Sequence, residues 1–76
     1  MNYNIPVRLA QLQKKQIDLL HEIRKEGIPA PYDSIYPTEL SKFIRGDENP
    51  PKSDVILEMC DKILTRWEHE ADAVRS

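Results

Sequence analysis

The sequence predicts an all-α protein, a small bundle of four to five helices with a long C-terminal helix. Three observations carry this. Every apolar segment recurs at three- and four-residue spacing. No alternating run of β-branched residues marks a strand. Residues suited to starting and stopping helices punctuate the segments. With 76 residues, the chain is expected to form one domain, 1–76, and chains near this size bury only about 60% of their unfolded surface.

The first helix is introduced by Asn4-Ile5-Pro6, where Asn suits an N-cap and Pro a first turn. Val7, Leu9, Ala10 and Leu12 continue it for about two turns. No Gly or Pro fixes its end, which falls near 11–13. The second helix is expected at about 15–26, with Ile17, Leu20 and Ile23 at helical spacing, Leu19 alongside, and Gly27 as the stop. Lys14 and Lys15 stand where cations oppose the helix dipole unless an external anion accompanies them. Glu22 and Glu26 give this helix a solvated, mixed-charge outer side. Pro29, Pro31, Asp33 and Ser34 then make 28–35 a loop by composition.

The third helix, about 37–45, has the strongest start and stop signals. Pro37 needs no partner for an amide proton, Glu39 puts a carboxylate in the first turn, and Gly46 suits the left-handed residue that closes a helix. Leu40, Phe43 and Ile44 form its apolar face, and Thr38, Ser41, Lys42 and Arg45 put hydrogen-bond donors on the other. Asp47-Glu48-Asn49-Pro50-Pro51 ends it. The last helix, about 54–73, is expected to be capped by Ser53 or Asp54. Its stripe runs Ile56, Cys60, Ile63, Trp67, Ala71, Val74, widened by Val55, Met59 and Leu64. A helix of that length outruns what so small a domain can cover. The distal end is therefore expected to meet a partner or fray, with Ile63, Trp67, Ala71 and Val74 forming a homodimer seam. The core is predicted from Leu9, Ile17, Leu20, Ile23, Leu40, Phe43, Ile44, Ile56, Met59 and Ile63.

Net charge is −2, which by itself does not indicate a polyanion partner. The distribution is uneven. Residues 1–46 hold seven basic and five acidic groups, and 47–76 hold four basic and eight acidic. A basic half and an acidic half suit a protein that turns one face toward a polyanion. The single Cys60 allows no internal disulfide and no CxxC metal pattern. No apolar run approaches the roughly 18 residues of a membrane span, and no long apolar N-terminal stretch resembles a signal peptide. The expectation is a cytoplasmic protein with no membrane contact.

Catalytic patterns are missing from the sequence. His21 and His69 lie far apart without a ligand-spaced Cys or carboxylate. His21-Glu22 lacks the second His of a zinc-protease helix. Two glycines build neither a phosphate loop nor a nucleophile elbow. The chain is read as no enzyme, with no cofactor, metal or small-molecule substrate.

The order of parts fits a helix-turn-helix: a short helix, a second introduced by Lys14-Lys15-Gln16, a connection, and a donor-faced helix ending Arg45-Gly46. Lys15-Gln16-Ile17-Asp18-Leu19-Leu20 and Tyr36-Pro37-Thr38-Glu39-Leu40-Ser41-Lys42-Phe43-Ile44-Arg45-Gly46 resemble the second and third helices of the lambda-repressor-like (Cro/repressor-type) family of small phage and bacterial regulators. The family opens its second helix Thr-Gln-x-x-Leu-Ala and its third Ser-x-x-x-Leu-Ser-x-Ile-x-x-Gly, and the resemblance spans about 7–64.

It implies a lambda-repressor-like, sequence-specific regulator that reads the major groove of double-stranded DNA with helix 37–45. By the same resemblance, Gln16 would bond a phosphate and brace the recognition helix. Pro37, Thr38 and Lys42 would face base edges, and Ser41 and Arg45 would lie nearer the backbone, with Lys15 at the adjacent helix start. The sequence departs from the family in a longer second-to-third connection, in Pro37 where an amide side chain often reads a base, and in Lys15 in place of a hydroxyl cap. The alternative is a protein-interaction module that keeps the helix-turn-helix shape, which the net acidity and the acidic last helix favour.

Overall fold

A computed structural model describes residues 3–32, 35–46 and 51–75, with the side chains of Val74 and Arg75 outside that description. Asp33 and Ser34 of the predicted loop, and 47–50 of the predicted helix stop, also lie outside it. The described residues form four helices and no strand: α1 Ile5–Gln11, α2 Gln16–Glu26, α3 Pro37–Arg45 and α4 Lys52–Arg75. At about 1.5 Å per residue α4 is roughly 36 Å long, close to the 40 Å long axis of the molecule. It is the spine on which α1, α2 and α3 all pack, and α2 also packs on α3.

The end of α1, which the sequence left open, is a Schellman motif. Gln13 takes the left-handed conformation (φ 56°). Its amide donates to the Ala10 carbonyl at 3.1 Å, and the Lys14 amide donates to that of Leu9 at 2.9 Å. Glutamine fills the place glycine usually takes, so no stop was visible. At the other end Asn4 also has positive φ (54°) and does not cap through its side chain. It serves instead through its carbonyl, which accepts from the Arg8 amide at 3.0 Å.

The core contains Ile5, Leu9, Leu19, Leu20, Ile23, Ile35, Leu40, Phe43, Ile56, Cys60, Ile63 and Leu64. Seven of the ten residues predicted for the core are therefore in it. Ile44 and Met59 are half-buried against its edge. Ile17 is a correction: it is 45% exposed. At about 100° per residue, Leu19, Leu20 and Ile23 centre on the direction of Gln16, and Ile17 points roughly 110° away. The helix buries the 16/19/20/23 row rather than the 17/20/23 row.

Two further corrections concern α4. It begins at Lys52, ahead of the expected cap, with the Pro51 carbonyl accepting from the Val55 amide at 3.1 Å. Ser53 lies within its first turn and is buried. Ile63, assigned both to the core and to a dimer seam, is 1% exposed and belongs to the core alone. Cys60 of the stripe and the widening residue Leu64 are buried with it, because the inward arc of α4 centres between Ile56 and Leu64.

Ion pairs between helices join charges from the two halves of the chain. Arg8 of α1 pairs with Asp61 (2.7 Å) and Glu68 (2.9 Å) of α4. Arg66 of α4 pairs with Glu22 (3.0 Å) and Glu26 (2.8 Å) of α2. The mixed-charge side of α2 is thus a bridge to α4 rather than a merely solvated face.

Candidate nucleic-acid interface

The candidate site is α3, and its geometry follows from which residues it buries. Leu40 and Phe43 are buried and Ile44 is half-buried. At about 100° per residue, Thr38, Ser41, Lys42 and Arg45 then fall in an outward arc roughly 100° wide on the opposite side. The adjoining Pro37, Thr38, Lys42 and Arg45 are exposed, and Ser41 is partly so.

Glu39, the only acid on α3, is held at the flank of this arc. One carboxylate oxygen accepts from the Tyr36 amide at 3.1 Å, and the other accepts from Lys52 Nζ at 2.9 Å. The Lys52 bond, helped by the Tyr36 amide and the nearby Lys42 charge, holds the Glu39 carboxyl below its ordinary pKa. An acid that could repel a polyanion is thereby neutralised by a lysine from the next helix. At the far end the helix closes at Gly46 in the left-handed conformation, φ 82°, as the sequence predicted.

Arg24, on α2, sets where α3 begins. Its guanidinium donates to the Ile35 carbonyl at 2.8 Å, and the Ile35 side chain is buried in the core. The connection of 27–36 contains a turn closed by the Tyr32 amide on the Pro29 carbonyl (2.9 Å). It ends at this double anchor. Neither residue belongs to the sequence-derived site, and only the apolar character of Ile35 hinted at its role.

Around the start of α2, Lys15 is exposed and Gln16 partly buried. The missing hydroxyl cap is replaced from the other direction, because the Asp18 carboxylate accepts from the Lys15 amide at 2.8 Å. The Lys14 ammonium stands 5.2 Å from the centre of the Trp67 ring on α4. That cation–π contact gives Lys14 an intramolecular partner.

Of the expected dimer residues, Trp67 packs against the core edge beneath Lys14, Ala71 is partly exposed, and the side chain of Val74 lies outside the described residues. An open groove of about 530 Å³ lies between α1 and α3, lined in part by Tyr3, Val7, Phe43, Ile44 and Leu57. Among the described residues, no group of His, Cys, Asp and Glu could hold a metal ion, and no helix is long and apolar enough to cross a membrane. Burial raises the Cys60 thiol pKa to about 12, which suits a packing residue rather than a nucleophile. Compared with protein-family models, with curated proteins and with solved structures, the chain matches none of them.

Proposed function

We propose that the protein is a cytoplasmic, sequence-specific double-stranded DNA-binding regulator of the repressor type, presenting α3 to the major groove. One observation carries this reading. The outward arc of α3 bears hydroxyls and cations, and its single carboxylate is tied off by Lys52. Short donors on one helix face suit base edges, and cations at its margins suit phosphates. Lys42 and Thr38 are the base-facing residues in this reading. Arg45 and Ser41 lie nearer the backbone, and Lys15 and Gln16 serve a phosphate at the start of α2. Two copies associated along the distal part of α4, around Ala71, would place two such helices on half-sites about one turn of DNA apart.

A second reading has its own support in the α1–α3 groove, whose apolar side chains, with Val7 56% exposed, suit a protein partner. Selection from random duplexes followed by a salt titration separates the two. The DNA reading expects an enriched sequence whose affinity falls linearly in log–log salt, with a slope set by the phosphates neutralised. No enrichment, or binding indifferent to salt, overturns it in favour of the interaction module.

A further inference from the structure

Tyr36 exposes an aromatic side chain at the start of α3. Three large hydrophobic residues are exposed among those described, and Tyr36, at 61%, is the most exposed of them. Its backbone is nevertheless fixed from every side. The preceding Ile35 is buried, with its carbonyl held by Arg24 at 2.8 Å. The Tyr36 amide donates to Glu39 at 3.1 Å, and its carbonyl accepts from the Leu40 amide at 3.0 Å. Pro37 then fixes the next φ. The fold thus fixes the backbone that carries an exposed aromatic side chain at the start of α3.

The neighbours define what such a side chain suits. Pro37 and Thr38 are also exposed, so a phenol ring, a pyrrolidine ring and a methyl group follow one another along the chain. Pro37 removes the hydrogen-bonding group that could read a base there. What is left is an apolar step beside the Thr38 hydroxyl, with Ser41 and Lys42 one turn further along the helix. In the major groove, the apolar feature that distinguishes one base from the others is the thymine C5-methyl group.

Resting on the DNA reading above, we infer that the start of α3 reads thymine through that methyl group, with Tyr36, Pro37 and the Thr38 methyl as its contacts. An apolar protein partner at the same step is the competing outcome of the test.

The experiment takes the duplex enriched by selection and replaces each thymine singly with deoxyuridine, which deletes only the methyl. At one or two positions the replacement should raise Kd about fourfold, the loss expected from uncovering one methyl group. That discrimination should vanish in Tyr36→Ala or in Thr38→Ser, which keeps the hydroxyl. Circular dichroism checks that each variant is folded, and Tyr36→Gln substitutes for any that is not. If deoxyuridine is neutral at every position, or the enriched site contains no thymine, the inference falls and the DNA reading stands. The inference also falls if the effect persists unchanged in both variants and in Pro37→Ala. If no duplex is enriched, the DNA reading itself fails and takes this assignment with it.

Discussion

The Arg8 guanidinium grips both carboxylate oxygens of Glu68, Nε reaching Oε2 and Nη2 reaching Oε1, each at 2.9 Å. The same guanidinium donates to Asp61 Oδ1 at 2.7 Å and to the Thr65 hydroxyl at 3.1 Å. Residues sixty positions apart are thus joined by a planar fork that only arginine can form. Arg8→Met keeps much of the apolar stem and removes the fork. It should destabilise the protein by about 1–2 kcal/mol, below the full worth of a charged pair because both acids are over a third exposed and screened by solvent. Arg8→Lys should recover little of this. Urea unfolding checks both, and a midpoint unchanged in Arg8→Met would show that the fork contributes nothing.

The acid limb of stability follows from the same contacts. Arg8 holds the Glu68 carboxyl, and Lys52 the Glu39 carboxyl, below the ordinary value of 4.5. A carboxylate depressed in the folded state contributes stability that is fully present above its unfolded pKa and disappears as pH falls through its folded pKa. For these two groups, stability should be level from pH 7 to 5 and fall progressively below about 4.5. Arg8→Met should shrink the Glu68 share of that fall, as read by urea midpoints across pH 7 to 3. An acid limb as steep in the variant as in the parent would remove Glu68 from the account.

Burial separates two aliphatic residues that the sequence placed in one core. Leu40 is fully buried and Ile17 is 45% exposed. Leu40→Ala should cost about 2–5 kcal/mol, a large part of the stability of so small a domain. Ile17→Ala should stay within about 1 kcal/mol, as surface substitutions mostly do. Thermal melts of the two variants decide this, and equal losses would mean that Ile17 is buried in solution.

Under the proposed DNA reading, Lys42→Ala and Lys15→Ala should differ in kind. Lys42 lies in the outward arc of α3 and Lys15 is exposed at the start of α2. Losing a base contact at Lys42 should cost about 1–3 kcal/mol on the preferred duplex and relax sequence preference at one position. Losing a phosphate contact at Lys15 should weaken all duplexes alike and reduce the salt slope by about one. Fluorescence titrations on preferred and scrambled duplexes, after circular dichroism shows both variants folded, make the distinction. Parent-like binding by both would rule out this face as the DNA surface.

Much of α3 was legible in the sequence because its signals are local. Pro37, Glu39 and Gly46 act within a turn of their own positions, and three apolar residues on one stripe fix which side faces in. The Pro37 start, the Gly46 stop and the outward arc of Thr38, Ser41, Lys42 and Arg45 therefore follow from the chain alone. The end of α1 did not, because Gln13 carries no intrinsic preference for the left-handed conformation it adopts. Nor did the inward row of α2, where Gln16 and Ile17 both precede Leu20 at a helical spacing and only packing against the other helices chose between them. Tertiary structure alone also decided where the charges go. Arg8 meets Asp61 and Glu68, Arg66 meets Glu22 and Glu26, and Lys52 quiets Glu39. Helix periodicity narrows which side of a helix faces inward, but ion pairs between helices depend on how those helices cross, a geometry set by the shape of the shared core.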